Sequence, residues 1–563
     1  MPVPGQNLWR VATWAWLAVV AVLILLTASH YGDSWDEKVR ADAGELKFQY
    51  YQHLLSGDLE AALEITPGND NYPGFHDLSL AVLRRIFPFS DYLTGNLFSA
   101  FLGFLGIVGT MRLGRLIGGD EVGFWAGVLL TLLPAWYGHM FINPKDIPFA
   151  VGYIWALGFI YEWISSGKQP GLRLVVLCGL AIGVAMASRI GGLLLVCYLG
   201  LFVGLSWLGD LARAAPDHRA RVIRGLLTAH LPRIVVAAAI GFCVLLLFWP
   251  AGQTRPFTGV SQTLGNVTQF DWTMPVFFEG AFLQAPDLPA YYIIKMILLK
   301  VPVITLVLFA LAAWLFIRQL HLQAKSRWVG FRPFLAQGLV FFAILFPVAY
   351  VIIKDSILYN GLRHLLFVLP SLCALGASAI PALRARLIQS RPHLLPYAGL
   401  TLALGLALPL VSMVRLHPYQ YIYYNEFAGG PAHAARNYEL DYWGTVYKEL
   451  AEDFYGYLKE TRPEFSRPEV VVNMEHVTWL FRPFLPEKTS LPIRVVRSQL
   501  NIDDYYAAST TWAADQYYAG EVVVEVRRAG VRLGVIKDRR GLKAEERGLG
   551  YQSNQPPNLE AFP

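Results

Sequence analysis

Three carboxylates stand close together near the start of the chain, at Asp33, Asp36 and Glu37. At this spacing we expect their ionisation to be coupled. A carboxylate at a boundary that both lipid and water reach can serve as the general base for a hydroxyl acceptor, or as a metal ligand. The alternative is that the cluster is the solvated start of a loop.

A second group of polar side chains occupies a short stretch between two apolar runs. It offers an imidazole at His139, an amide at Asn143, an ammonium at Lys145 and a carboxylate at Asp146. The ammonium of a Lys is a compact positive charge that can bind a phosphate. An adjacent Asp can hold a base, a metal or a sugar hydroxyl. In the alternative interpretation, Lys145 extends to lipid headgroups and Asp146 caps the next helix.

A third group, at Tyr359, Arg363 and His364, stands directly before a run of apolar residues that ends at Pro370. A guanidinium in this place can form two parallel hydrogen bonds to phosphate oxygens, or it can anchor the chain to headgroups. Arg189, between two apolar runs, is a weaker candidate of the same kind.

A tyrosine-rich segment, 417–430, follows the last apolar run and includes Asn425 and Glu426. Such a segment is typical of the aromatic belt at a membrane interface. At the mouth of a cleft, its amide and carboxylate could also contact a sugar.

Apolar runs of membrane-spanning length position these groups. The chain is 55% hydrophobic and only 16% charged, whereas an ordinary soluble domain has about a quarter charged residues. We predict about eleven spans, with the fifth and sixth runs either two spans or two half-helices. The runs are 9–28, 92–111, 122–136, 147–163, 174–186, 191–207, 234–249, 291–317, 335–351, 365–380 and 397–414.

The loops between the runs predict the orientation. With the N-terminus in the cytoplasm, the inner loops collect many more Arg and Lys residues than acidic ones, as the positive-inside rule requires. The net charge of +6 therefore reflects orientation, and nucleic acid is excluded as a partner. We expect a multi-pass protein of the inner membrane with a transmembrane domain, 1–415, and an extracytoplasmic C-terminal domain, 416–563. The first outer loop spans 29–91.

The C-terminal domain has the pattern of a small α/β domain. A helix is predicted at 444–458, and β-prone runs follow at 470–473, 493–496, 521–526 and 531–536, the last two as a hairpin. In the first outer loop, helical periodicity at 45–57 and 78–87 predicts two helices that either lie in the membrane interface or pack on the C-terminal domain.

Three different short motifs follow one another along the chain in a recognisable order. An acidic pair, Asp36-Glu37, follows the first run; Asn143-Pro144-Lys145-Asp146 enters the fourth; and Arg363 opens a late run that ends in proline. In this order they resemble the protein O-mannosyltransferase-like family, glycosyltransferase family 39. This family belongs to the GT-C superfamily of multi-span glycosyltransferases, which use polyprenyl-phosphate sugars. The resemblance covers 9–415.

The resemblance implies a role for each matching residue. Asp36 would be the base or acceptor-orienting carboxylate with Glu37 beside it, and Asp146 the second acid of the site. Some members of the family bind a divalent cation near these acids, so Mg²⁺ or Mn²⁺ on Asp36 and Asp146 stays open. The donor phosphate would be held by Lys145, Arg363, His364 and Arg189. Further candidate substrate contacts are His139, Asn143, Tyr359, Asn425 and Glu426.

We therefore expect an integral membrane glycosyltransferase that moves a sugar from a polyprenyl-phosphate donor to a lipid, glycan or protein acceptor at the outer face. The family reaction is a single displacement with inversion. Two other classes stay open. A lipid-linked sugar transporter or flippase would need polar residues through the membrane midplane, and a non-enzymatic subunit of envelope-polysaccharide assembly would use the C-terminal domain for docking.

Overall fold

The computed structural model describes residues 6–65, 72–256, 258–268, 272, 274–325, 331–461, 469–474, 477–486, 492–497, 503–543 and 546. The α-helices of these residues are α1 Gln6–Thr27, α2 Trp35–Ser56, α3 Leu59–Ile65, α4 Phe75–Ile86, α5 Asp91–Gly118, α6 Asp120–Thr131, α7 Pro134–Ile142, α8 Asp146–Ser165, α9 Leu172–Ser188, α10 Leu193–Arg213, α11 Arg219–Gly225, α12 Leu231–Leu247, α13 Pro250–Thr254, α14 Thr258–Thr268, α15 Tyr292–Lys300, α16 Val303–Lys325, α17 Phe331–Ile353, α18 Leu369–Ser390, α19 Leu395–Leu416, α20 Gly430–Ala434 and α21 Val446–Thr461. The strands are β1 Val276–Phe278, β2 Ala281–Leu283, β3 Val470–Met474, β4 Ile493–Val496, β5 Tyr505–Ser509, β6 Glu521–Arg528 and β7 Val531–Asp538.

The helical part confirms a polytopic membrane protein with a small C-terminal sheet domain. Within the described ranges, 9 helices are long and apolar enough to cross a membrane, and the count is 10 if α6 and α7, which meet at 68°, form one broken span. The helix α9 has 17 residues and falls just short of that length. Most of the predicted runs therefore correspond to helices.

One predicted span was wrong in its extent. The run 291–317 is divided at Val301-Pro302 into α15 and α16, and Pro302 has no N–H with which to continue a helix. The carbonyls left at the break are satisfied by Asn425, whose Nδ2 donates to the oxygens of Leu298 and Val301 at 2.6 and 2.8 Å. The membrane-spanning part therefore begins at Val303.

The helix α8 is the centre of the bundle. In the most apolar stretch of α8, 89% of the residues are buried. The helix packs against α5, α9 and α17. The contact with α9 is close because Gly152 has no side chain: a Cβ there would lie 2.5 Å from the backbone nitrogen of Ala185. Burial from several sides fixes the first residue of α8, Asp146, relative to the other helices.

The two helices predicted in the first outer loop are present and begin earlier than expected. The helix α2 starts at Trp35 and α4 at Phe75. They pack together so closely that a Cβ on Gly44 would lie 2.2 Å from the backbone oxygen of Asp77. The start of α2 carries a capping box in which the Ser34 and Glu37 side chains satisfy each other's backbone N–H groups.

The C-terminal domain is built on a five-stranded sheet of order β4-β3-β5-β7-β6. The strand β3 pairs in parallel with β4 and β5, and β7 pairs antiparallel with β5 and β6. The predicted helix and hairpin are confirmed as α21 and β6–β7, whereas β5 was missed. The helix α21 lies on the sheet, burying Leu450 and Phe454.

Candidate active site

The start of α8 is capped by Asn143, and Asp146 does not fulfil that role. The Asn143 side-chain oxygen accepts from the backbone nitrogens of Lys145 and Asp146 at 3.2 and 2.8 Å. Its Nδ2 donates to Oδ2 of Asp146 at 2.9 Å. Since the helix is capped by a neutral amide, the carboxylate of Asp146 is free to point at cations.

Two arginines reach Asp146 from other helices. Arg189, directly after the end of α9, donates to Oδ1. Arg363, just before α18, places its Nε 3.5 Å from Oδ2. The Asp146 side chain is only 3% exposed, and a buried carboxylate in this position needs such partners to remain charged.

Arg363 also reaches Asp36, near the start of α2. Its Nη2 lies 3.2 Å from Oδ2 of Asp36, whose side chain is 27% exposed. Burial by itself would raise the pKa of Asp36, but the cations of Arg363 and Lys145 outweigh it and hold that pKa below its usual value. Asp36 is therefore an ionised carboxylate that solvent reaches.

Aromatic rings surround the guanidinium of Arg363. Its Cζ lies 4.3 Å from the ring centroid of Trp443 and 5.4 Å from that of Tyr359. Tyr359 stacks on Trp272 at 3.9 Å and meets His364 edge-on at 4.5 Å. These contacts fix the position of the guanidinium between the two carboxylates.

Several buried nitrogens at the site have no hydrogen-bond partner among the described residues. They are Nε of Arg189, Nε of Arg363 and Nδ1 of His364. Buried polar groups of this kind normally bind something. Nε of Arg363 has an ion-pair contact with Asp146 at 3.5 Å but makes no hydrogen bond there, and Nε of Arg189 also belongs to a permanent cation, so these nitrogens favour an anion as hydrogen-bond acceptor.

A further basic cluster beside the site was not predicted. Arg40 and Lys47, on α2, each lie 3.3 Å from Oδ2 of Asp77, on α4. The ring of Tyr72 lies between Arg40 and Lys145, at 5.9 and 4.8 Å. A signal was present in the sequence, because Arg40 follows Asp36 by four residues and must share its helix face.

Glu37, next to Asp36 in the chain, binds the start of its own helix. It accepts from the backbone N–H of Ser34 at 2.5 Å, while the Ser34 hydroxyl donates to the carbonyl of Ile142 at 2.6 Å. Burial, followed by the charge of Asp33, raises the pKa of Glu37 well above its usual range. Ser34 thus joins the start of α2 to the end of α7, and Glu37 holds the backbone of Ser34 in place.

The structure brings ten of the twelve predicted residues into one region and leaves Asn425 and Glu426 elsewhere. Asn425 supports the break before α16, and Glu426 is exposed.

Two residues that the sequence analysis did not assign, Tyr442 and Trp443, are in the region. The Tyr442 hydroxyl lies 3.0 Å from Nε2 of His139, and Nδ1 of His139 lies 3.1 Å from Nδ2 of Asn143.

The donor set does not fit a divalent cation. In the part of the chain that the structure describes, no group of three or more His, Cys, Asp or Glu side chains could hold one. The space between Asp36 and Asp146 is occupied by the Arg363 guanidinium, with Arg189 on the far oxygen of Asp146. Fixed positive charges take the place that a bridging metal would need.

The fold and the site define a polytopic membrane protein with a cationic site at one end of its helical bundle. No family model matches the sequence. The chain is 26% identical over 326 residues to the dolichyl-monophosphooligosaccharide–protein glycotransferase AglB of Haloferax volcanii, a match that covers 54% of this chain and 26% of that protein. The chain thus spans about a quarter of the length of this curated relative.

Two solved structures are similar along most of the chain. ArnT from Cupriavidus metallidurans in the apo state is 15% identical with a TM-score of 0.47, and the match covers 93% of this chain and 98% of that one. The archaeal oligosaccharyltransferase AglB from Archaeoglobus fulgidus is 12% identical with a TM-score of 0.44, covering 96% and 76%.

Proposed function

We propose that the protein is an integral membrane glycosyltransferase that moves a sugar from a polyprenyl-phosphate donor to an acceptor at the outer face of the inner membrane. The observation that carries the proposal is the bridge from Arg363 to both Asp36 and Asp146. Asp36 lies just after the end of α1, and Asp146 is the first residue of α8. Both therefore lie at the end of the helical bundle that the positive-inside rule assigns to the outer face.

The cations of the site suit the phosphate of such a donor. Lys145, Arg189 and Arg363 outnumber the two carboxylates that they face, so an anion completes the charge balance. When the bond from the anomeric carbon to the phosphate oxygen breaks, the polyprenyl phosphate gains negative charge. Fixed guanidinium groups stabilise that charge without reorganisation, and Nε of Arg189, which makes no hydrogen bond within the described residues, offers one to it.

Asp36 is the residue placed to act as general base. It is ionised and partly exposed, whereas Asp146 is buried and held by Arg189 and Asn143. As the acceptor oxygen bonds to the anomeric carbon, its proton passes to the Asp36 carboxylate and the phosphate leaves from the opposite side. One displacement inverts the configuration. Asp146 holds the two arginines in place.

The name of the Haloferax volcanii relative supports a lipid-monophosphate donor for this chain, since that protein is described as using a dolichyl-monophosphate-linked saccharide. The test is transfer by the purified protein from a panel of radiolabelled polyprenyl-phosphate sugars to a membrane extract. We expect one donor to be consumed by the wild type and by Asp42→Asn, and not by Asp36→Asn. Label that moves equally with Asp36→Asn, or a wild type that consumes none, would overturn the proposal.

A further inference from the structure

We propose that Tyr442 and Trp443, adjacent residues that come after the last span, are positioning residues for Asp146 and Arg363. The inference rests on the proposed function. The two side chains leave the same turn toward the two charged groups: the Tyr442 hydroxyl meets His139, and the Trp443 ring meets Arg363. The first outer loop and the ends of the transmembrane helices therefore carry the acids and cations, and the C-terminal part of the chain fixes the orientation of Asp146 and Arg363.

The direction of each hydrogen bond follows from the cap on α8. The Asn143 oxygen accepts from two backbone N–H groups, so its amide cannot be reversed. The Nδ2 atom that faces His139 is thus a donor, and Nδ1 of His139 must accept. The imidazole proton is on Nε2, which donates to the Tyr442 oxygen 3.0 Å away.

This chain of bonds ends on the carboxylate. The second hydrogen of Asn143 Nδ2 goes to Oδ2 of Asp146. His139, Asn143, Asp146 and Tyr442 are all buried, so water does not replace a lost member. Without the Tyr442 hydroxyl, the buried Nε2–H of His139 loses its acceptor, and the imidazole is no longer held in place against the Asn143 amide. Asn143 then holds Asp146 less firmly.

The turn that carries Tyr442 and Trp443 is itself rigid. The Asp441 carboxylate accepts from the Tyr421 hydroxyl and from the backbone nitrogens of Thr445 and Val446, the last two at 3.1 and 3.2 Å. Trp443 is 1% exposed. A fixed turn is what a pair of positioning residues requires, because any movement of the turn would move both charged groups.

The first test compares two tyrosines of the same segment. Tyr442→Phe should lower kcat about tenfold or more, while the donor KM stays at the wild-type value and the thermal unfolding midpoint falls only slightly, as the loss of one buried hydrogen bond requires. Tyr423→Phe is the matched control: Tyr423 is buried, and its hydroxyl has no partner in the described ranges. Its kcat should not change. If Tyr442→Phe equals wild type, or if both variants lose the same activity, the positioning role is refuted.

A double-mutant comparison separates the hydrogen-bond chain from simple packing. In a His139→Phe background, Tyr442→Phe should cause no further loss of kcat, because the chain is already broken. Independent losses that multiply would contradict it. For the second residue, Trp443→Leu should raise the donor KM about threefold or more, and Trp443→Phe, which keeps an aromatic face for Arg363, should restore most of the affinity. An unchanged KM in Trp443→Leu would remove Trp443 from the proposal.

A readout without turnover distinguishes this inference from the proposed function. In protein labelled with ¹⁵N-histidine, the signal lost in His139→Gln should show an unprotonated Nδ1 and a protonated Nε2. In Tyr442→Phe the Nε2 proton should remain but lose its hydrogen bond, so its ¹H and ¹⁵N resonances should shift while Nδ1 stays unprotonated. If that signal shows a protonated Nδ1 in the wild type, the hydrogen-bond chain is wrong whether or not the enzyme transfers a sugar; if the wild type consumes no donor, the proposed function fails on its own.

Discussion

The Nη2 of Arg363 lies 3.2 Å from Oδ2 of Asp36, although 327 positions separate the two residues. One guanidinium thus connects the first outer loop to the helix α18, and through Asp146 to the centre of the bundle. The Arg363 side chain is 6% exposed. A buried cation with two anionic partners is costly to disturb, so this connection is structural as well as chemical.

Asp36→Asn should reduce transfer at least about 100-fold, because a general base contributes about 10²–10⁴ in rate and an amide cannot take the proton. Binding of polyprenyl phosphate should persist, since Arg189, Lys145 and Arg363 remain. Single-turnover transfer and a separate lipid-phosphate binding measurement check the two halves of the expectation.

The control for that variant is Asp42→Asn on the same helix, where the exposed Asp42 pairs with Lys38 at 3.0 Å. Its transfer rate should match the wild type. Loss of lipid-phosphate binding in Asp36→Asn would show that Asp36 has a structural role instead.

Arg363→Lys should shift the pH dependence of kcat/KM as well as lower its maximum. Against the effect of burial, Arg363 is the foremost influence that lowers the pKa of Asp36, so a shorter, single-point cation lets that pKa rise. The active form is the carboxylate, which is lost as the pH falls through its pKa. The acid limb should therefore move to higher pH, while Arg384→Lys, at an exposed ion pair with Glu121, leaves the profile in place.

Transfer should not require a divalent cation, because the Arg363 guanidinium lies between the two candidate carboxylate ligands. Dialysis against EDTA followed by assay should leave the rate within about twofold of the untreated enzyme. Loss of activity after EDTA treatment, with recovery on addition of Mg²⁺ or Mn²⁺, would contradict the conclusion that the Arg363 guanidinium takes the place of a bridging cation.

Asp33→Asn should stabilise the protein at pH 8 more than at pH 4. Burial raises the pKa of Asp33 to about 6 in the folded protein, whereas its pKa in the unfolded chain is about 3.9. Between those values the folded state binds more protons, so stability falls as the pH rises through this window. The gain is at most about 3 kcal/mol, and thermal unfolding in detergent measures it, with Asp42→Asn as the control that should show no such difference.

Gly32→Ala should destabilise the contact between the first outer loop and α21. A Cβ at this position would lie 2.6 Å from the Thr445 carbonyl oxygen and 2.9 Å from Cβ of Lys448. Forced contacts of this kind cost about 1–3 kcal/mol. Gly456→Ala, on the same helix α21 with open space around the glycine, should instead stabilise by about 0.5–1 kcal/mol; equal unfolding midpoints for the two variants would refute the argument.

Membrane spans were predictable because each one is a local property of composition. The break at Pro302 was missed because the apolar run continues through it, and the break depends on Asn425, far along the chain. The strand β5 was missed for a similar reason: Tyr505–Ser509 has no alternating pattern because all five residues are buried, and only its neighbours β3 and β7 make it a strand.

The site was partly predictable, since charged residues at span ends are unusual enough to notice. Asp36, Asp146 and Arg363 were predicted from their residue types at span ends and from the order of the motifs that contain them. The sequence could not show which hydrogen-bond partner each side chain has. Asn143 caps α8 in place of Asp146, and Glu37 binds Ser34 instead of the cations. The role of Tyr442 was hidden because its partner, His139, is 303 positions away.

The wide separation of the site residues affects when the protein becomes active during its own synthesis. Chains are made and inserted from the N-terminus onward, so Asp36 and Asp146 emerge well before Arg363, and Tyr442 later still. Until the last of these arrives, the carboxylates have neither their shared guanidinium nor a fixed orientation. An unfinished chain on the ribosome therefore lacks the assembled site, because the residues that fix Asp36 and Asp146 are not yet present.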